Sequence, residues 1–291
     1  MRINIITTKN TFIFLLGLIA SVPFLAVAAN GELAPNPDSL PDSESYTFKV
    51  VDDISLRLHV FDSSTTATEA ITKPRPAIVF FFGGGLRGGS VMQFFSQAKA
   101  LSELGMVAVI ADYRVYRRHK TGAIEAVADA QSAIRWVREH AEDLAVDPNR
   151  IVAAGGSSGG YLAAATATME AVGGADSEAS GVSTRANAAA LFNPALANRF
   201  PNVEAELSPY HQLDTNAVPT FIVHGKQDKV VAFASAQAYC DRIHELQAYC
   251  ELHAYETAGH GFFNRNRNDG EWYRETFAQL QTFLQKFGYL D

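Results

Sequence analysis

The chain has almost no cysteine: two residues in 291, Cys240 and Cys250. That excludes a small scaffold held by many disulfides, and two thiols fall short of the roughly four ligands of a structural zinc site. No His, Asp or Glu cluster has metal-ligand spacing either, so no metal is expected. A long basic run is also missing. Lys and Arg total 24 against 31 Asp and Glu, a formal net charge of −7, so the footprint of a nucleic-acid binder is absent. There is no internal repeat and no second composition regime, which points to one folded domain. What is plentiful is apolar sequence, 47% of the chain, too much for a disordered protein and enough for a sizeable core.

Long hydrophobic runs are missing too, with one exception. Residues 11–27 (TFIFLLGLIASVPFLAV) are apolar but broken by Pro23, preceded by Arg2 and Lys9, and closed by Ala26-Val27-Ala28. A membrane span needs about 20 continuous apolar residues. A short apolar core between a positive start and a small-residue site reads instead as a signal peptide, residues 1–28, with a retained anchor as the alternative. No cysteine lies near the site, so a lipid anchor is not expected. The reading implies a periplasmic or secreted protein with no stable membrane insertion after cleavage. Cys240 and Cys250 would then reach an oxidising compartment and pair, the alternative being two buried free thiols. Residues 29–45, polar, acidic and proline-bearing, read as a flexible linker or N-terminal arm, and 46–291 as the folded domain.

Within that domain, strand and helix patterns alternate. Strands are expected at 46–51, 55–61, 77–82, 106–111, 151–154, 188–192, 220–224 and 250–255. Helices are expected at 91–104, 124–141, 158–169, 234–247 and 272–287, with a turn at Asp147-Pro148. The short, continuously apolar strands suit a sheet covered on both faces. The fold class is therefore α/β, a mainly parallel sheet with helices on both faces. Residues 193–218 show no regular pattern and are a candidate lid or substrate-facing segment, or a plain surface excursion.

Gly155-Gly156-Ser157-Ser158-Gly159 fits G-x-S-x-G between a strand and a helix, the setting of a nucleophile elbow. The frame shifted by one residue, with Ser158 as nucleophile, also fits. Ser157 is preferred because it stands directly at the strand end, leaving Ser158 to supply the next N–H. A serine nucleophile needs a base and an orienting acid, which follow in the order acid then His on later strand ends in this fold class. Asp228 follows the 220–224 strand and His260, between two glycines, follows the 252–255 strand. His224 and Asp214 are the competitors, one inside a strand and the other in the irregular segment before it. Asp112 and Arg114 are expected to form a structural ion pair.

The glycine run 83–85 with Gly88 and Gly89 follows the apolar strand at 77–82. Its backbone N–H groups can face a developing oxyanion, and Gly84, Gly85 and Ser158 are the expected hole. The rival reading is a dinucleotide site. Gly83, Gly85 and Gly88 match G-x-G-x-x-G, and Asp112 ends the next strand. That fingerprint normally sits on the first strand of its unit, and it would leave Ser157, Asp228 and His260 unexplained. No cofactor is expected.

The segments FFFGGGLRGGS (80–90), ADYRV (111–115), DAQSAIRWVREHA (129–141), DPNRIVAAGGSSGGYLA (147–163), VPTFIVHGKQDKVV (218–231) and ETAGHGFFN (256–264) resemble the α/β-hydrolase serine esterases. They are most similar to the exported acetyl-esterase and feruloyl-esterase-like branch near the hormone-sensitive-lipase group. The resemblance implies a Ser157, Asp228 and His260 triad. It also implies a carboxylic-ester hydrolase working through an acyl-enzyme on a small-molecule or polysaccharide ester, with acetylated or feruloylated carbohydrate as the expected class. The family often has His before the glycine run, where it orders the loop; here that position is Phe82. The large N-terminal cap of the group has no counterpart, because 30–45 is too short and polar for it. A serine peptidase of the prolyl-oligopeptidase type shares fold and triad order, and a catalytically silent hydrolase fold used for binding is the reading from another class.

Overall fold

The computed structural model describes residues 33–63, 73–172, 181–196 and 205–291. The signal peptide expected at 1–28 lies outside these residues.

The chain enters an antiparallel hairpin, β1 (Glu44–Val51) and β2 (Ile54–Phe61), turning through Asp52 at a φ of 52°. Six parallel strands follow: β3 (Arg75–Phe81), β4 (Val107–Ala111), β5 (Val146–Gly156), β6 (Ala188–Phe192), β7 (Thr220–Gly225) and β8 (Cys250–Tyr255). The order across the sheet is β1-β2-β4-β3-β5-β6-β7-β8, with β2 antiparallel to β4. β4, β6 and β7 are buried at every position, as strands covered on both faces must be. This is the expected α/β architecture. With β5 to β8 parallel and adjacent, their C-terminal ends lie along one edge, where ligand sites form in such sheets.

The helices are α1 (Phe95–Glu103), α2 (Tyr116–His119), α3 (Ala123–Glu139), α4 (Ser158–Thr168), α5 (Phe233–Glu245) and α6 (Glu271–Lys286). α4 is buried at all eleven positions. Its sequence, SGGYLAAATAT, has no polar stripe because it has no solvent face. Its small side chains let it press against β5, β6 and α3. α5 is held to β8 by the Cys240–Cys250 disulfide, whose Cα atoms are 5.5 Å apart.

Four differences from the sequence reading have physical causes. First, β5 begins at Val146 and runs through Asp147-Pro148, where a turn was expected. A shift in register against Arg75 and Ala77 absorbs the proline. Second, the helix expected at 91–104 opens as a 3-10 turn, Val91–Phe94, capped by the Ser90 hydroxyl on the Met92 N–H. Third, Arg114 does not pair with Asp112. It forms a two-pronged bond to Asp129 on α3, at 2.8 Å on each arm, and Lys49 Nζ joins the same carboxylate at 3.0 Å. Fourth, the described part of the 29–45 segment is not free, and its last two residues already belong to β1. Leu33 and Leu40 are buried, and Asn36 donates to Asp112 Oδ1 at 2.8 Å.

Candidate active site

β5 ends in a turn too tight for side chains on either side of it. A Cβ on Gly155 would lie 2.3 Å from the Gly159 carbonyl oxygen, and one on Gly159 would lie 2.0 Å from the Phe81 carbonyl oxygen. Both glycines are two residues from Ser157, so the close approaches belong to the frame centred on it. Ser157 itself has φ 55° and ψ −116°, a conformation non-glycine residues adopt only when their surroundings enforce it. The enforcement is visible. Its N–H donates to the Phe192 carbonyl at 2.9 Å, and its carbonyl accepts from Tyr161 and Ala195. Ser158 is turned inward: its side chain is fully buried, beside the Tyr113 hydroxyl.

His260 Nε2 lies 3.0 Å from Ser157 Oγ, and its Nδ1 lies 2.7 Å from Asp228 Oδ2. A carboxylate can only accept, so Nδ1 carries the ring proton and Nε2 presents a lone pair to the serine hydroxyl. Asp228 is enclosed. Burial pushes its pKa up, but the Val231 N–H, His260 and the Val230 N–H outweigh it and hold the carboxyl below its ordinary range. The two backbone donors bind Oδ1 at 2.8 Å each, leaving Oδ2 to the imidazole. The three side chains stand on the loops after β5, β7 and β8.

The competitors are placed elsewhere. His224 is buried behind Asp228, with Nε2 bonded to the Val231 carbonyl at 3.1 Å and 3.4 Å from Asp228 Oδ2; burial lowers its pKa. Asp214 accepts from the Asn216 N–H at 2.9 Å and faces Arg185 at 3.7 Å. The irregular 193–218 segment is tethered where it is described: Tyr161 Oη donates to the Leu207 carbonyl at 2.8 Å.

The glycine loop lies directly against the serine. A Cβ on Gly83 would be 3.2 Å from Ser157 Cβ. The Gly83 N–H is taken by Gln93 Oε1 at 2.6 Å. The next two, on Gly84 and Gly85, have no acceptor among the described residues, and neither has the Ser158 N–H. Such a trio of unfilled donors beside a nucleophile can stabilise an oxyanion. Tyr113 stacks on Phe82 at 4.1 Å and donates its hydroxyl to the Phe82 carbonyl at 2.6 Å. Asp112, the acid that the dinucleotide reading needs, is engaged by Asn36 and by the Tyr113 N–H. Among the described residues no group of three or more His, Cys, Asp or Glu could hold a metal.

Three side chains here were not singled out from the sequence. Asn193, fully buried at the end of β6, accepts the Gly261 N–H at 3.0 Å. Asn264 donates to the Gly261 carbonyl at 2.7 Å. Gln93 joins Asn264 to the glycine loop. The only signal for Asn193 was its place at a strand end beside the triad strands.

The chain is similar to known ester hydrolases. The BD-FAE family profile matches residues 66–190. Carboxylesterase NlhH of Mycobacterium tuberculosis is 36% identical over 96 residues, 32% of this chain and 29% of that protein. Lipase 2 of a Moraxella species is 27% identical over 139 residues, 47% of this chain and 32% of that protein. The chain thus spans about a third of the length of these curated relatives. Solved structures match far more completely. A thermophilic esterase of Thermogutta terrifontis with butyrate bound is 38% identical, with a TM-score of 0.80, covering 86% of this chain and 96% of that one. Esterase 2 of the same organism phosphorylated by paraoxon is 40% identical at a TM-score of 0.81, with the same coverage.

Proposed function

The chain belongs to the α/β-hydrolase serine esterases, carboxylic-ester hydrolases of the hormone-sensitive-lipase-like group, and from that premise we propose that Ser157 is its nucleophile, His260 the general base and Asp228 the orienting acid. The observation that carries this is the continuous link from Asp228 Oδ2 through His260 to Ser157 Oγ, at 2.7 and 3.0 Å. His260 Nε2 takes the hydroxyl proton as Oγ attacks the ester carbonyl, and the N–H groups of Gly84, Gly85 and Ser158 receive the negative charge on the carbonyl oxygen. The tetrahedral species collapses, the C–O bond to the alcohol breaks, and the imidazolium protonates the leaving alkoxide. Water, deprotonated by His260, then attacks the acyl-enzyme and releases the acid, returning the proton to Ser157.

The substrate reading is a short acyl ester of a carbohydrate, acetyl or feruloyl. The resemblance to acetyl- and feruloyl-esterase-like sequences supports the class. The butyrate and propionate bound by the Thermogutta esterase support a short acyl group. Export fits the disulfide and the leader sequence. Among the described residues no helix is long and apolar enough to cross a membrane.

Hydrolysis of p-nitrophenyl acetate and butyrate, methyl ferulate and acetylated xylan by the wild type, Ser157→Ala and Ser158→Ala tests the reading. Wild type and Ser158→Ala should hydrolyse the short esters and Ser157→Ala should not. Full turnover by Ser157→Ala would reject the nucleophile, and inactivity on both methyl ferulate and acetylated xylan would reject the substrate class.

A further inference from the structure

Phe82 stands where the resembling esterases often carry a histidine that orders the glycine loop. A phenylalanine side chain cannot hydrogen-bond, so the order must come from elsewhere. Tyr113 fixes the Phe82 carbonyl from one side. On the other side a continuous chain of bonds runs from the glycine loop to the histidine loop. The Gly83 N–H donates to Gln93 Oε1 at 2.6 Å, and Gln93 Nε2 donates to Asn264 Oδ1 at 3.1 Å. Asn264 Nδ2 donates to the Gly261 carbonyl at 2.7 Å, and the Gly261 N–H donates to Asn193 Oδ1 at 3.0 Å. Beyond it, the Asn193 N–H donates to the Val223 carbonyl on β7, while Ala195, two residues on, donates to the Ser157 carbonyl.

The direction of this relay is determined by its ends. A backbone N–H at Gly83 can only donate and a backbone carbonyl at Gly261 can only accept. The two amides between them can each be placed in one orientation alone. Each amide uses its oxygen toward the glycine loop and its nitrogen toward the histidine loop. The body of Gln93 is held by its neighbours. Its N–H bonds the Ser90 carbonyl, and the adjacent Phe94 packs on Phe80 at 4.9 Å and on Phe263 at 5.6 Å.

We propose that Gln93, acting through Asn264, is a positioning residue of the esterase: it sets the distance between the N–H groups that receive the oxyanion and the imidazole that moves the proton. Capturing the Gly83 N–H fixes the plane of the peptide that precedes Gly84, and so aims the Gly84 and Gly85 donors. Anchoring Asn264 fixes the loop that begins at His260. The two halves of the machinery are carried by segments on either side of Ser157, and Gln93 joins them outside the triad itself. Neither amide touches the reacting atoms.

The inference rests on Ser157 and His260 as the reacting pair. The test is steady-state kinetics on p-nitrophenyl butyrate for Gln93→Met, Asn264→Ala and the double variant, with the melting temperature of each. Displacing the donors by a fraction of an ångström should lower kcat of Gln93→Met by roughly 10- to 100-fold, with KM and melting temperature little changed. Asn264→Ala should lose less. The double variant should be no slower than Gln93→Met, because both changes cut one link. If Gln93→Met does not fold, Asn264→Asp carries the test. It keeps the acceptor for Gln93 but cannot donate to Gly261, and kcat should fall several-fold at constant KM. Wild-type kcat in these variants, or losses that multiply in the double variant, would overturn the proposal. An active Ser157→Ala would instead remove the reading beneath it, so the two failures are distinguishable.

Discussion

Two carboxylates, Asp129 and Asp228, have side chains with no solvent exposure, yet they are satisfied in opposite ways. Asp129, in the half of the molecule built on β1 to β4, is bound by two cations, the Arg114 guanidinium and the Lys49 ammonium. The carboxylate charge is permanently offset, and the group ties β1, α3 and the chain after β4 together. Asp228, in the half built on β5 to β8, has two neutral N–H donors, the His260 imidazole and, at 3.4 Å, the imidazole of His224, whose pKa burial lowers. Its charge is stabilised but not cancelled. On the proposed mechanism, the missing positive charge is the one His260 acquires when it takes a proton. A buried carboxylate given cations is a fastener; one given neutral donors and an imidazole is ready to stabilise a charge that appears only during reaction.

The sharpest way to break this comparison is to remove each charge while keeping each shape. In Asp228→Asn, the side-chain oxygen can still take the Val230 and Val231 N–H groups, so the fold should persist. The amide would present a donor or a neutral acceptor to His260, disfavouring both the productive tautomer and the imidazolium. By analogy with the same change in serine proteases, kcat should fall by about 10,000-fold, with the melting temperature little moved. A variant retaining a tenth of wild-type turnover would place the orienting acid elsewhere.

Asp129→Asn should do the reverse. It leaves Arg114 and Lys49 enclosed with no full counter-charge, which costs on the order of 3 kcal/mol. Urea unfolding should show that loss, while kcat of the folded fraction stays within about twofold, since these side chains touch no reacting group. A large fall in kcat without loss of stability would mean that the charged cluster acts on the site, and the contrast between the two halves would fail.

The two halves also differed in how legible they were. Ser157, Asp228 and His260 each sit in a short local pattern: an apolar strand, then a glycine-bearing turn. Chain order alone aligned them, because parallel neighbouring strands bring their ends to one edge. Arg114 was assigned the nearest acid in sequence, Asp112, but its partner lies 15 residues on. The signal was present: Asp129 interrupts the apolar face made by Ala126, Val127 and Ala130, and a charge on a buried helix face implies a buried partner. Gln93 carried no such mark. Its meaning depends on Asn264, 171 residues away, and no local rule connects an amide in a 3-10 turn to an amide beyond His260. The linker at 29–45 was read from composition, which does not register that Leu33 and Leu40 find apolar surface to cover.

Asp112 is the intermediate case and gives the smallest effect. It is enclosed like the other two, but among the described residues its bonded donors are only the Asn36 amide and the Tyr113 N–H, both on Oδ1. Arg118 is near enough to help through its field without bonding to it. Burial therefore wins, and the Asp112 pKa is raised to about 6. The sign follows from linkage. Between its ordinary pKa and about 6 the folded state holds a proton that the unfolded state has lost, so stability falls as pH rises through that window and stays lowered above it. Asp112→Asn keeps the acceptor for both donors and removes the ionisation. Its melting temperature should approach that of the wild type at about pH 4.5 and exceed it by a few degrees at about pH 8, with the gap opening between them. A gap that does not vary with pH would show that Asp112 is charged at no cost, and that two amide donors suffice for a buried carboxylate in this half of the molecule.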